Sequence, residues 1–126
     1  IKPFHPFRFA VNEREAMEKL NTFVNNKIKA SDCQKAILVG HNAHFDHSFI
    51  MSACNRQKVK FMFHSFSTFD TVSLSALLLG ETVLAKALRA TNLGYDINEA
   101  HSALYDATQT AKLFCHLVNH TSYVKD

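Results

Sequence analysis

The chain has 126 residues, 14 basic and 11 acidic side chains, eight histidines, three cysteines and a formal net charge of +3. That length suits one ordinary globular domain, and no apolar run approaches the ~20 residues that a membrane-crossing helix needs. Cys33, Cys54 and Cys115 are odd in number and widely spaced. They therefore read as neither a disulfide framework nor a zinc knuckle, and a reducing, cytoplasmic setting is expected. Cys54 and Cys115 fall on apolar helical faces and are predicted core residues.

In chain order, the opening segment with Pro3 and Pro6 reads as a loop. It has no initiator Met and no signal-peptide layout, so the chain is expected to be a piece of a longer protein. Asn12 with Glu15 resembles a capping box. Ala16, Met17, Leu20, Phe23, Val24 and Ile28 then recur at helical spacing and predict an amphipathic helix over 13–29. "AILVG" (36–40) is continuously apolar, as in a strand covered on both faces. Asn42 is the expected cap of a helix over about 43–57 that buries Phe45, Phe49, Ile50 and Ala53. A short strand is expected near 67–70. Asp70 then caps a helix through Leu79 that Gly80 ends, and Thr82 caps another over 83–92. The last helix is predicted to start near Ser102, with Leu104, Ala107, Ala111, Phe114 and Val118 as its apolar stripe. Strands alternating with helices indicate an α/β fold. Two strands are few for a sheet, which again suggests that earlier strands are missing.

Two stretches concentrate reactive side chains. Asp46 sits in the first turn of a helix directly after a buried-looking strand, where α/β folds gather their ligand sites. The same carboxylate also suits the helix dipole. His101 and Asp106 are five residues apart, which on a helix is about 500°, or 140° around the axis. They cannot share a face if both are helical, but can converge if His101 lies in the loop before the helix and Asp106 in its second turn. A histidine beside activated water suits general-base catalysis near neutral pH; the alternative is a capping His and a solvent-facing Asp. Residues 27–60 carry Lys27, Lys29, Lys35, Arg56, Lys58 and Lys60 against Asp32 and Asp46, so +6 − 2 = +4. Such an excess reads either as a patch for a polyanion or as a solvated face.

Together, "HNAHFD" (41–46) and "HSALYD" (101–106) resemble the second and third motifs of the DEDDh family of 3′→5′ exonucleases. "ILVGHNAHFDHSFI", "FHSFSTFDTVSLSALLLGETVLAKA" and "AHSALYDATQTAKLFC" extend the likeness to its ribonuclease T group over nearly the whole chain. The resemblance implies a ribonuclease H-like exonuclease fold in which four carboxylates hold two Mg²⁺ ions, with Mn²⁺ as a substitute. Carried over by motif, Asp46 and Asp106 are metal ligands and His101 is the general base. Phe45 and Phe66 match phenylalanines that stack on terminal bases. Lys29, Lys35, Lys58 and Lys60 match a basic patch that binds the RNA stem across a homodimer. The implied activity is trimming of 3′ ends of transfer RNA and other small stable RNAs, with single-stranded DNA 3′ ends as further candidate substrates and nucleoside 5′-monophosphates as products. One departure stands out: the family's first motif, Asp-x-Glu, occurs nowhere in these residues. The chain therefore reads as the C-terminal portion of such an enzyme, with about half the ligands and little activity alone. The competing readings are a DNA-proofreading exonuclease or oligoribonuclease, and a non-catalytic nucleic-acid-binding or dimerisation fragment.

Overall fold

Asn12 starts the first helix, and the reason is local: its Oδ1 accepts the Glu15 backbone N–H at 2.8 Å while its own backbone stays extended. Only that half of the expected capping box forms, because the Glu15 carboxylate pairs with Lys19 one turn on, at 3.2 Å. The computed structural model describes residues 9–121. It contains α1 (Glu13–Ala30), β1 (Ala36–Gly40), α2 (Ala43–Gln57), β2 (Phe63–Asp70), α3 (Thr71–Leu79), α4 (Leu84–Ala90) and α5 (Ala103–Asn119). The strands form a two-stranded sheet in the order β1-β2, joined through α2. The α/β assignment therefore holds, and β2 starts four residues earlier than the 67–70 predicted, because Phe63 and His64 extend the strand. The segment with Pro3 and Pro6 lies outside the described residues.

The chain divides into two compact units, Ile1–Ile37 with His47–Ser67, and Leu38–Asp46 with Thr68–Asp126. In the first, Val24, Cys54 and Met62 form the buried centre, with Met17, Leu20, Ile28 and Ile50 packed around it. Burial pushes the Cys54 thiol pKa up, as an apolar surround disfavours the thiolate. The helical periodicity of α1 holds for these positions but not for Phe23, which is exposed. The expected strand coverage also fails, since Ile37 is 36% exposed.

The ends of α1 and α2 are tied by charge. Arg56 donates to both Glu13 carboxylate oxygens, its Nη2 at 2.5 Å, and Gln57 Nε2 donates to Glu13 Oε2 at 2.7 Å. These partners hold the Glu13 carboxyl at about 2, well below its usual 4.5. A carboxylate depressed in the folded state adds stability that is complete above its unfolded pKa and lost as pH falls through the folded one. The thermal stability of the protein relative to its Glu13→Gln variant is therefore expected to be constant above about pH 5 and to shrink as pH falls toward about 2. A difference in Tm that grows on acidification would contradict this.

In the second unit, α3, α4 and α5 enclose Ala87, Leu88, Leu113 and Leu117, with Leu74, Leu84 and Leu93 around them. The buried face of α5 is Gln109, Thr110, Leu113 and Leu117, not the predicted stripe. Leu104 and Val118 are largely exposed, and so is Cys115, expected in the core. Phe49, expected to be buried by α2, is also exposed. Gly80 ends α3 in the left-handed conformation (φ 71°), as predicted. Thr82 does not cap α4. The helix begins one residue later, after Val83, which makes no side-chain cap bond.

No single helix among the described residues is long and apolar enough to cross a membrane.

Candidate active site

At the carboxyl end of β1 the backbone passes very close to the start of α2. A Cβ on Gly40 would lie 3.1 Å from the Ala43 Cα and 3.1 Å from Asp46 Oδ2. Glycine leaves room for this close approach, and the Asp46 carboxylate lies beside the strand end in the space that a side chain would take. The helix start is held by Asp70. Its Oδ1 accepts the backbone N–H groups of Asn42 at 3.0 Å and Val72 at 2.9 Å, and its Oδ2 accepts that of Ala43 at 3.0 Å. Asp70 is the N-cap of α3, as expected from sequence, and also the acceptor at the start of α2. The capping role expected of Asn42 thus falls to Asp70; Asn42 itself adopts a left-handed backbone, φ 64°.

His41 clamps the same turn. Its Nε2 lies 2.7 Å from the Thr82 carbonyl oxygen and its Nδ1 2.7 Å from the buried Thr71 hydroxyl. A carbonyl only accepts, so Nε2 carries a proton toward Thr82, while the Thr71 hydroxyl donates to the Gly40 carbonyl oxygen at 3.3 Å.

Tyr95, which the motif spacing does not reveal, links the Asp106 carboxylate to the backbone of His101. The Tyr95 hydroxyl donates to Asp106 Oδ1 at 2.7 Å, and the His101 backbone acts on the same hydroxyl. The Asp106 carboxylate holds the phenol proton and pushes the Tyr95 pKa up, so Tyr95 stays a donor. His101 lies in the loop and Asp106 within the first turn of α5, whose N-cap is Ser102. The loop position of His101 is the expected one, whereas Asp106 stands in the first turn rather than the expected second, because the helix starts at Ala103 directly after its Ser102 cap. His101 is exposed and left-handed, φ 72°, a conformation that costs a non-glycine residue energy and recurs at functional sites. The loop is further tied to α5 by Gln109, which donates to the Gly94 carbonyl at 2.9 Å, and by the Asp96 N–H, which donates to the Tyr105 hydroxyl at 2.7 Å.

The aromatic and basic candidates are described each within its own unit. In the second, Phe45 is 56% exposed beside His44, with ring centroids 4.3 Å apart. In the first, Phe66 is 92% exposed, so core packing does not account for it. Lys35 and Lys60 line one pocket of about 380 Å³ with Asn21, Asn25 and Gln34. Asn21 Nδ2 donates to the Lys60 carbonyl at 2.9 Å. Lys29 stands in the last turn of α1, where a cation complements the helix dipole. Lys58 takes the left-handed position directly after α2, φ 56°. Arg56 is engaged by Glu13 and is not a free charge of this patch.

Hard carboxylate oxygens such as those of Asp46 and Asp106 suit Mg²⁺ in kind. They fall short in number: among the described residues no group of three or more His, Cys, Asp or Glu side chains is placed to hold a metal ion. These residues form at most part of a metal centre.

The Asp46 carboxylate at the end of β1 and the Asp106–Tyr95 hydrogen bond at the start of α5 are acidic features of the second unit. Comparison with known families gives the class, a 3′-5′ exoribonuclease domain. Residues 7–118 match the family described as 3′-5′ exoribonuclease Rv2179c-like domain, and the chain belongs to that family. It is 58% identical over 120 residues to a protein of Baumannia cicadellinicola subsp. Homalodisca coagulata named Ribonuclease T. It is 54% identical over 120 residues to the Ribonuclease T of Wigglesworthia glossinidia brevipalpis and 53% over 118 to that of Vibrio cholerae serotype O1. The alignments take in 93–94% of this chain but 53–56% of those proteins, so it spans about half the length of the curated relatives it matches.

Proposed function

We propose that the full-length protein is a metal-dependent 3′→5′ exoribonuclease that trims the 3′ ends of transfer RNA and other structured RNAs. The family match over residues 7–118 carries this reading, and the link from Asp106 through the Tyr95 hydroxyl to the His101 backbone is consistent with it. Asp46 and Asp106 contribute carboxylate oxygens to a magnesium site that needs further ligands from outside the described residues. Magnesium bound there supplies positive charge beside the scissile phosphate and acidifies water. His101 accepts the proton of the attacking water at its imidazole, and its loop position keeps the ring accessible. Tyr95 holds the Asp106 carboxylate by its hydroxyl, and Gly40, lacking a Cβ, leaves room for that of Asp46. Phe45 and Phe66 stack on terminal bases, and Lys29, Lys35, Lys58 and Lys60 bind the phosphates of the stem across a homodimer.

The test is incubation of a duplex RNA bearing a single-stranded 3′ overhang with magnesium. The full-length protein is expected to release nucleoside 5′-monophosphates from the 3′ end, and the 126-residue chain alone to show little or no turnover. Failure of the full-length protein to cleave would overturn the proposal. Turnover by the isolated chain near that of a complete relative would overturn the partial-site reading. Retained RNA binding without any cleavage would select a binding role instead.

Phe45→Ala in the full-length protein is expected to weaken RNA binding by about fivefold or more, the scale of one lost base stack, with magnesium affinity unchanged. Titrations of RNA and of magnesium measure the two separately. Equal loss of both would count against stacking.

A further inference from the structure

Phe66 poses a physical problem. A phenyl ring 92% exposed to solvent on β2 has little packing of its own to fix its direction, yet a stacking platform works best when it is pre-positioned. The backbone beneath it is held by an unusual acceptor. His64 Nδ1 takes the N–H of Phe66 at 3.1 Å and the N–H of Ser67 at 2.9 Å. Two donors on one ring nitrogen require its lone pair, so the imidazole is neutral with its proton on Nε2. The ring closes a local turn of the kind that Asn and Asp side chains usually make with following backbone N–H groups. His64 is itself anchored: its carbonyl accepts from His47 Nε2 at 2.9 Å, and the His47 ring sits edge-on to Phe61, 4.9 Å between centroids. The half-buried His64 ring meets Phe66 edge-on at 6.4 Å. All of these residues belong to the first unit.

We infer that His64 is a positioning residue for the nucleic-acid contact: its Nδ1 fixes the backbone of Phe66 and Ser67 and so presents the Phe66 ring for stacking on a base. This rests on the proposed stacking role of Phe66. It adds that the direction of the ring is set by an imidazole lone pair rather than by the strand ladder alone. The chemistry specifies the substitutes. Asn at position 64 offers a carbonyl oxygen at the right reach, Ala offers nothing, and Gln places its carbonyl one methylene too far.

The experiment uses the full-length protein, a short oligoribonucleotide with a single-stranded 3′ end, and no divalent cation, so that binding is read without cleavage. Amide hydrogen exchange at Phe66 and Ser67 is measured beside fluorescence anisotropy, and thermal melts verify folding. His64→Ala and His64→Gln are expected to speed exchange at both amides about tenfold, the loss of one hydrogen bond, and to weaken binding about three- to tenfold. His64→Asn is expected to restore both to within about twofold. Phe66→Ala is the reference for stacking. If Phe66→Ala weakens binding but the folded Ala and Gln variants at 64 bind normally, the positioning role is overturned and stacking stands. If Phe66→Ala binds like the wild type, stacking fails and the inference fails with it. If Asn does not rescue, the imidazole lone pair is not what matters, and the inference is overturned.

Discussion

Asp70→Ala is expected to destabilise the protein by about 2–4 kcal/mol and to lower its Tm on the order of 10 °C. Three backbone N–H groups lose their acceptor at once, those of Asn42, Ala43 and Val72. They belong to the starts of two helices, so one deletion uncaps both. Each lost cap costs about 1 kcal/mol in typical hosts, and bonds to a charged acceptor are stronger than neutral ones. Asp70→Asn keeps one carbonyl oxygen and so can retain the two bonds made by Oδ1, while its amide group cannot accept from Ala43. About half of the loss should return. Equilibrium denaturation of the three proteins measures this. An alanine variant within about 0.5 kcal/mol of wild type would show that solvent replaces Asp70 without cost. The same substitution should also depress activity, because the turn it holds carries Asp46.

His101→Ala in the full-length protein is expected to lower kcat about 10²–10⁴-fold, the usual contribution of a positioned general base. The change in KM should be small and so should the change in Tm, since the ring is exposed. Alanine at a left-handed position adds backbone strain of its own. Glycine does not, so His101→Gly removes the imidazole while relieving the backbone. Equal losses in the two variants assign the effect to the ring. A kcat within about fivefold of wild type in the glycine variant would remove His101 from the chemistry. Tyr95→Phe separates positioning from proton transfer. It deletes the hydroxyl that joins Asp106 to the loop and is expected to cost less than the loss of His101.

Much of this was legible in the residues themselves, where the physics is local. Helix starts at Asn12, Asp70 and Ser102 follow from short polar side chains that reach their own backbone, and the stop at Gly80 follows from a residue free to turn left-handed. The two motif stretches, the family they indicate and the loop position of His101 were also readable, because motif identity and a 140° helical offset need no third dimension.

What tertiary structure alone decided is which groups meet. The last helix bears apolar residues on more than one side, and a 3.6-residue period cannot say whether Leu113 and Leu117 or Leu104 and Val118 face the other helices. Phe23, Phe45, Phe49 and Phe66 are exposed although their side chains are among the most hydrophobic, since burial depends on what lies opposite a surface. Asp70 caps a helix start 27 residues upstream, Glu13 neutralises Arg56 across 43 positions, and Tyr95 joins the His101 loop to Asp106. Hydrogen bonds and ion pairs act over a few ångströms of space, and separation along the chain does not encode that distance; only the folded backbone supplies it.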